Sequence, residues 1–134
     1  MIKSSLLSKL ENGSSEGKDD DRVLTLQHRG FIIYIGGNAM SNERLINEHP
    51  HKTCLWFHAW GAKGAHVILC DNQVMAFDDE AILFAADVAL RHSRSSLRAV
   101  NYAKVGELYK PENSQPGIFR SHRSETLEVE NGRE

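Results

Sequence analysis

The middle of the chain, residues 54–70, is mostly apolar, with a single histidine in each of two stretches of strand length. Its sequence is CLWFHAWGAKGAHVILC. Two apolar runs of strand length flank a segment bounded by glycines, and this pattern predicts a β-hairpin. The runs are residues 55–59 and 65–70, and the connection is residues 60–64.

Successive side chains of a strand point to opposite faces, so the first strand of this hairpin should carry aromatic and imidazole groups on one face. These side chains are Trp56, His58 and Trp60. The register of the hairpin decides where His66 lies relative to His58. One register places the two imidazoles side by side, a shift of one residue places them on opposite faces, and the sequence leaves both open.

Two strands are predicted before the hairpin, with the sequences VLTLQ and FIIYIG and a turn at residues 28–30. The second strand is apolar on both faces, which indicates an interior position in a sheet. A short helix should follow, with Ser41 or Asn42 as its N-cap and its end near Ile46.

A longer helix is predicted after the hairpin, from an N-cap at Asp78 to about Ser93. Acidic residues in its first turn suit the positive end of the helix dipole. Apolar and small residues recur along one face at helical spacing, which predicts close packing on the sheet. These positions are Ala81, Phe84, Ala85, Val88, Ala89 and His92.

Three more strands complete the pattern, at residues 97–104, 118–121 and 126–129, with a Pro-Gly turn before the second. The order of elements, β-β-α-β-β-α-β-β-β, predicts an α+β fold. We expect a mainly antiparallel sheet packed against one long helix plus a short helix.

The 134 residues suit a single domain with a modest core. Residues 1–21 include a run of Gly, Ser and charged residues without apolar positions, so we expect a disordered N-terminal segment there. The folded domain should span residues 22–130, and residues 131–134 should form a frayed tail.

The charge of the whole chain is nearly balanced, but one segment is strongly basic. The chain carries 16 basic and 18 acidic residues, so a globally basic nucleic-acid binder is not indicated. Residues 91–123, however, hold seven Lys or Arg and two Glu, a local net charge of +5 between acidic ends. No run approaches the ~20 apolar residues of a membrane span, and we expect no membrane partner.

The two cysteines leave one alternative open. Cys54 and Cys70 should lie at the open end of the hairpin, where a disulfide is conceivable. No secretory signal is recognisable, so we favour free thiols in the reducing cytoplasm, with an organelle transit peptide at the N-terminus as the alternative.

The sequence predicts no metal, no other cofactor and no catalytic residue. Each cysteine lies about four residues from the nearer histidine of the hairpin, or ~13 Å along a strand, which disfavours one tetrahedral zinc site. No nucleophile elbow and no glycine-rich phosphate loop before a helix is present in the sequence.

The hairpin motif, LWFHA followed by GAHVIL, resembles the NFACT-R domain, whose usual form is close to D-[IV]-W-[LF]-H and P-G-[SA]-H-V. Three further segments resemble that domain in the same order: IYIGGNAMSNERL, AILFAADVALRHSRS and QPGIFRSHRSETLEV. The resemblance covers roughly residues 23–130. This chain departs from the family pattern at Thr53 or Cys54, at Lys63 and at Gly37.

The resemblance implies a non-catalytic RNA-binding module. NFACT-R domains are thought to bind RNA, and larger relatives bind tRNA and the large ribosomal subunit during rescue of stalled chains. Those relatives carry further regions, so the resemblance implies only RNA binding, to tRNA or rRNA, or ribosome binding. The alternative is a protein-interaction module that uses the Trp60 loop and the sheet as a docking face without nucleic acid.

The candidate nucleic-acid-binding residues form two groups. The hairpin offers stacking and hydrogen-bonding side chains to an unstacked base. The basic segment offers phosphate contacts. The first group is Trp56, His58, Trp60, Lys63 and His66, and the second is Arg91, His92, Ser93, Arg94, Lys104, Lys110, Arg120 and Arg123.

Both groups also have a purely structural interpretation. His58 and His66 would then each bond to neighbouring backbone and pack beside an aromatic ring. Arg91, His92 and Arg94 would complement the negative end of the helix dipole. The sequence leaves these alternatives open.

Overall fold

The computed structural model describes residues 23–48, 52–61, 64–71, 77–94 and 97–130. The expectations about residues 1–21, residues 131–134 and Lys63 lie outside the described residues.

The described elements form one large sheet, two helices and a small ribbon. Along the chain they are β1 (Val23–His28), β2 (Phe31–Gly36), α1 (Ala39–Glu48), β3 (Leu55–Ala59), β4 (His66–Cys70), α2 (Asp79–Arg91), β5 (Ala99–Lys104), a 3-10 turn (Val105–Glu107), β6 (Leu108–Tyr109), β7 (Arg120–Ser121) and β8 (Glu125–Glu128). The sheet has the order β1-β2-β4-β3-β5-β8, and β6 pairs with β7. All of these pairings are antiparallel. The predicted α+β class is confirmed, with helices of 10 and 13 residues.

The turn between β1 and β2 ties the sheet to the start of α2. Arg29 and Gly30 both have positive φ, 54° and 88°, which suits a two-residue hairpin turn. The Arg29 guanidinium donates to Asp78 at 2.7 Å and also pairs with Glu80. The hydrogen bond from Arg29 lowers the pKa of Asp78 to about 2.

The second helix, α2, follows the predicted pattern of cap and apolar face. Asp78 is the N-cap, and its Oδ1 accepts a hydrogen bond from the Ala81 N–H at 2.9 Å. The helix ends at Arg91, slightly before the predicted boundary, and its apolar face packs on β3, β4 and β5. Ala81, Ala85 and Ala89 are 0% exposed, because their small side chains let the helix approach the sheet closely.

The predicted N-cap of α1 is wrong. The helix begins at Ala39, so both candidates, Ser41 and Asn42, lie inside its first turn. Asn38 occupies the capping position instead: its Oδ1 accepts from the Ser41 N–H at 2.8 Å, and the Ser41 Oγ accepts from the Asn38 N–H at 2.9 Å. This reciprocal pair satisfies two backbone donors at once, which explains the earlier start.

The two faces of the sheet bury different clusters. The larger cluster lies under α2 and includes Phe31, Ile33, Phe57 and Val100. The smaller cluster lies on the opposite face, against α1, and consists of Leu45, Cys54, Trp56, Ile68, Cys70 and Ala103. This alternation along β3 confirms the predicted separation of Trp56 from Phe57.

Cys54 and Cys70 are joined by a disulfide, with their Cα atoms 4.8 Å apart. Our preference for free thiols was therefore wrong. It rested on an argument about compartment, whereas the antiparallel pairing of β3 and β4 brings the two residues together at the open end of the hairpin.

The C-terminal part differs from the prediction in detail. The 3-10 turn and the two-residue strand β6 were missed, β7 is shorter than predicted, and β8 begins one residue earlier. Strands of two residues carry no periodicity that a pattern of apolar positions could show.

Candidate nucleic-acid interface

A row of polar side chains crosses the sheet on the face that carries α1. The β3–β4 register pairs Phe57 with Val67, so the next position along places His58 opposite His66. Asn101 of β5 pairs with His58, and Thr126 of β8 pairs with Asn101. We call these four residues, His66, His58, Asn101 and Thr126, the polar row.

The two imidazoles of the polar row lie side by side. Their ring centroids are 4.8 Å apart, and the rings meet edge to face at 78°. Of the two registers that the sequence left open, the chain adopts the one that brings His58 and His66 together.

Trp56 determines the protonation state and the tautomer of His66. Its indole N–H donates to Nδ1 of His66 at 3.2 Å, and an indole N–H is only a donor, so Nδ1 carries no proton. Burial, with the nearby charges of His58 and Lys110, lowers the pKa of His66 to about 3. The ring is therefore neutral near pH 7 and carries its proton on Nε2.

His58 sits between the buried cluster and open space. Its ring stacks parallel to the Trp56 indole, with centroids 6.0 Å apart. Burial lowers the pKa of His58, while hydrogen bonds to the backbone of Ala59 and Gly64 act in the opposite direction. Trp56 itself is only 6% exposed, so most of its ring is covered by neighbouring groups, the two histidines among them.

A cleft of about 1090 Å³ opens over three members of the polar row, His66, His58 and Asn101, whereas Thr126 lines a second depression. One wall is the start of α1, a second is the end of α2 with His92, Ser93 and Arg94, and a third comes from the segment between β6 and β7. Among the described residues that line the cleft there is no Asp or Glu, whereas Arg94, Arg120 and three histidines line it.

The third wall is held in place by an internal ion pair. We call residues 110–119, which connect β6 to β7, the strap. Lys110 donates from Nζ to Glu43 of α1 at 3.0 Å, and also to two strap carbonyls, of Gln115 at 2.6 Å and Ile118 at 3.1 Å. An ammonium group has three N–H donors, so these three bonds use all the donors of Lys110.

The strap meets α1 through Gly117. Its N–H donates to Glu43 at 2.7 Å. Gly117 has a φ of +85°, and a Cβ there would lie 2.8 Å from the carbonyl oxygen of Ala39, so only glycine fits. Burial opposes the ionisation of Glu43, but the hydrogen bonds from Gly117 and Lys110 outweigh burial and lower its pKa.

The structure brings together about half of the predicted binding residues. Those that line the cleft are Trp56, His58, His66, His92, Ser93, Arg94 and Arg120. Trp60, Arg91, Lys104, Lys110 and Arg123 are not among the lining residues. The +5 segment thus does not form one continuous surface.

Three of the predicted binding residues that do not line the cleft lie in other environments. Arg91 pairs with Asp87 one turn earlier in α2, Nε to Oδ2 at 3.0 Å. Lys104 alternates with the buried Ala103, so it lies on the α2 face of β5. Trp60 lines a second, shallow depression together with Leu97.

Sequence reasoning missed several residues of the cleft. Asn101 joins the polar row, and Asn38, Asn42 and Phe119 contribute to the walls. Asn101 could have been found, because it is a polar residue on the face of β5 that carries Ala103. Asn38, Asn42 and Phe119 come to the cleft through tertiary packing, and no local sequence pattern indicates such packing.

Neither a metal-binding cluster nor a helix that could span a membrane occurs among the described residues. No group of three or more His, Cys, Asp or Glu there has the arrangement to hold a metal ion. Neither α1 nor α2 is long and apolar enough to cross a membrane.

Residues 22–117 match the family model described as the NFACT protein RNA binding domain. Among curated relatives, the Rqc2 homolog RqcH of Streptococcus suis is 34% identical over 101 residues, which are 73% of this chain and 18% of the relative. The Rqc2 homolog RqcH of Bacillus subtilis is 27% identical over 129 residues, 92% of this chain and 22% of the relative. The chain thus spans about a fifth of the length of these relatives.

A solved structure has the same fold. It is the C-terminal part of the fibronectin/fibrinogen-binding protein from Streptococcus suis, which is 31% identical to this chain and superposes with a TM-score of 0.66. The match covers 74% of this chain and 41% of that one. Since the family model covers well over half of the sequence, the chain belongs to the family of NFACT protein RNA binding domains.

Proposed function

We propose that this protein binds RNA in the cleft above the polar row. One observation carries the proposal: acidic residues outnumber basic ones in the chain, 18 to 16, yet none of the described residues lining the cleft is acidic. Arg94 and Arg120 line it instead, and arginine is well suited to bind phosphate through paired hydrogen bonds.

The arrangement of the cleft favours single-stranded or looped RNA. The arginines would contact phosphates and so position the chain without reading its sequence. The rings of His58, Phe119 and Tyr109 line the same cleft and offer surfaces against which an unstacked base can pack. A duplex keeps its bases stacked, so it would use only the phosphate contacts.

The family relationship supports a finer proposal. The RNA is tRNA or rRNA, the partner is the large ribosomal subunit, and the role is a non-catalytic one in translation quality control in the cytoplasm. The similarity to the Rqc2 homologs supports this setting, although this chain spans only about a fifth of their length.

We also propose that residues 22–130 form the folded unit. The family model ends at residue 117, but β8 pairs with β5 beyond that point. Val129 is 9% exposed, and its N–H donates to the Arg98 carbonyl at 2.7 Å. The chain therefore stays part of the fold up to that residue.

Fluorescence titration of labelled tRNA and of a single-stranded oligomer at several salt concentrations tests RNA binding. The chain supplies matched controls: Arg94→Ala and Arg120→Ala remove charge inside the cleft, whereas Arg91→Ala and Arg123→Ala remove the same charge outside it. Each cleft variant should weaken binding and reduce the salt slope by about one, since each phosphate contact releases a counterion. The controls should change the slope less, because neither side chain lines the cleft where the phosphates would bind.

Two results would contradict the proposal. A wild-type protein that binds neither RNA at low salt is not an RNA-binding module. Equal losses in the cleft variants and in their controls would show that RNA binds elsewhere on the surface.

The depression beside Trp60 favours protein docking as a second candidate function. Trp60 is 47% exposed and Leu97 is 51% exposed, and both line a depression of about 620 Å³ with Val129. Exposed aromatic residues of this kind anchor protein partners. Trp60→Ala should then leave RNA binding unchanged and weaken capture of ribosomal particles that have been treated with ribonuclease; unchanged capture would exclude docking at this site.

A further inference from the structure

One end of the cleft lies where α1 begins, and backbone donors are free there. The first N–H groups of any helix lack partners within the helix. Here the N–H groups of Asn38 and Ser41 are satisfied by the capping pair. Within the described part of the chain, no acceptor bonds the N–H of Ala39 or Met40. The start of this ten-residue helix also carries the positive end of its dipole, with no acid in the first turn.

A second free donor comes from His66. Its Nδ1 accepts from Trp56, so its proton is on Nε2, the other ring nitrogen. His66 is 6% exposed, and none of the other described residues accepts a hydrogen bond from Nε2. Nε2 of His66 is also not fully buried, as a comparison with Ser114 shows. Among the described residues, Ser114 Oγ is the single fully buried side-chain polar atom that has no partner. Because His66 lines the cleft, its Nε2–H opens into it.

The two sets of donors lie next to each other. His66 is the cross-strand neighbour of Gly36, and its own N–H donates to the Asn42 side chain in α1 at 3.0 Å. A Cβ on Gly36 would lie 2.6 Å from that same Asn42 oxygen, so the glycine lets the first turn of α1 press against this end of the sheet.

The neighbouring amide oxygens are already occupied. Asn42 Oδ1 accepts from His66, and Asn101 Oδ1 accepts from the Thr126 hydroxyl at 2.9 Å. The Asn101 NH₂ group therefore remains as a further donor along the polar row. This end of the cleft offers hydrogen-bond donors and has no acidic side chain among its described lining.

We propose that this end of the cleft is a subsite for one phosphate group of the bound RNA, held by the first N–H groups of α1 and by the imidazole N–H of His66. Phosphate oxygens are acceptors only, which matches a site that offers donors, and helix N-termini are suited to bind them. A base edge presents donors as well as acceptors, and the two nearby amide oxygens each already accept one hydrogen bond. The inference rests on the proposed function, because it names the part of RNA that this end receives.

Nuclear magnetic resonance of the full ¹⁵N-labelled chain at pH 7 tests the subsite without any mutation. The probes are inorganic phosphate, adenosine monophosphate and, as the matched control, adenosine. The two phosphate-bearing probes should shift the amide signals of Ala39 and Met40 and the Nε2 signal of His66, and adenosine should not. Equal shifts with adenosine, or shifts confined to other residues, would overturn the proposal.

Oligomers separate the two sources of phosphate. A single-stranded oligomer with a 5′-phosphate that binds more tightly than its unphosphorylated copy assigns the subsite to a terminal phosphate. Equal binding, with the same three signals shifted, assigns it to an internal phosphodiester. Either result supports the subsite, and oligomers that bind without moving these signals contradict it.

Variants of His66 give a second readout. His66→Phe removes the donor and should weaken oligomer binding about tenfold, the factor that corresponds to a hydrogen bond of ~1.4 kcal/mol. His66→Gln keeps an N–H donor and should recover most of that loss. If His66→Phe does not fold, the wild-type spectra still decide the matter. Failure of all RNA to bind would refute the proposed function, whereas RNA binding without shifts at α1 and His66 would refute only the subsite.

Discussion

The two faces of the sheet show how differently the same strands can be used. On the face that carries α2, strand and helix residues form the larger buried cluster, in which Phe57 of β3 and Val88 of α2 are 0% exposed. On the opposite face α1 covers only part of the strands, and the polar row lies where that cover ends. One face therefore supplies most of the buried apolar packing, and the other combines a small cluster with the cleft.

Neighbouring residues of β3 test this contrast most directly. Phe57→Ala empties space under α2 and should lower the free energy of unfolding by about 3–5 kcal/mol, the usual cost of a deleted core aromatic side chain. His58→Ala, one position along and facing the cleft, should cost no more than about 1 kcal/mol. Urea denaturation measures both. Similar costs for the two variants would show that the two faces contribute equally to stability at these positions.

Reduction of the disulfide should have the next largest effect. Cys54 and Cys70 are separated by 16 positions, and closing a loop of that size contributes about 3 kcal/mol in the chain-entropy model. Wild-type protein should therefore melt at a lower temperature with dithiothreitol than without it. The double variant Cys54→Ala/Cys70→Ala serves as the control and should not respond to the reductant.

Acid should weaken the cleft face through its buried imidazoles. The pKa of His66 falls from an ordinary value of 6.5 to about 3 in the fold, so between these values the unfolded chain binds a proton that the folded chain does not. Stability is thus unaffected above about pH 6.5 and falls as the pH decreases below it, by up to about 1.4 kcal/mol per pH unit for one group. The lowered pKa of His58 adds to this loss.

Urea denaturation at pH 7 and pH 5 measures the effect, with His66→Gln as the control. That variant should lose less stability than the wild type between the two pH values. The carboxylates with lowered pKa values, such as Asp78, titrate mainly below this range. An equal pH response in both proteins would show that His66 does not contribute.

The strap should show the smallest energetic effect. Lys110 and Glu43 are 33% and 24% exposed, so solvent screens their ion pair and a double-mutant cycle with Lys110→Met and Glu43→Gln should give a coupling of about 0.5–1 kcal/mol. Hydrogen exchange of the Gly117 amide should accelerate in both variants, because Glu43 no longer holds it well. Additive effects and unchanged exchange would show that the pair does not hold the strap.

The parts that could be predicted are those that local rules determine. The hairpin follows from two apolar runs with glycines between them, and α2 follows from its spacing and its Asp78 cap. The start of α1 was misplaced because Asn38, Ser41 and Asn42 are all residues that can cap a helix, and they lie within five positions of one another. The reciprocal hydrogen bonds between Asn38 and Ser41 show that Asn38 is the cap.

The site was harder to predict because its charges are paired over long distances. Lys110 pairs with Glu43, 67 positions earlier in the chain, and no local count of charge shows that this lysine is engaged. Arg91 and Arg94 are three residues apart, yet only Arg94 lines the cleft. Trp60 is in sequence a neighbour of His58, but it lies past the end of β3, where strand alternation no longer determines its direction.

If the proposed function is correct, the polar row makes RNA affinity depend on strand alignment. If β5 slipped by two residues against β3, every apolar side chain would keep its face and the core would be filled with similar groups. Asn101 would then no longer lie opposite His58. Such a misaligned molecule could remain compact and protected from proteases while its cleft no longer matched its ligand. Affinity for RNA would therefore distinguish correctly aligned molecules from compact ones that a melting curve counts as folded.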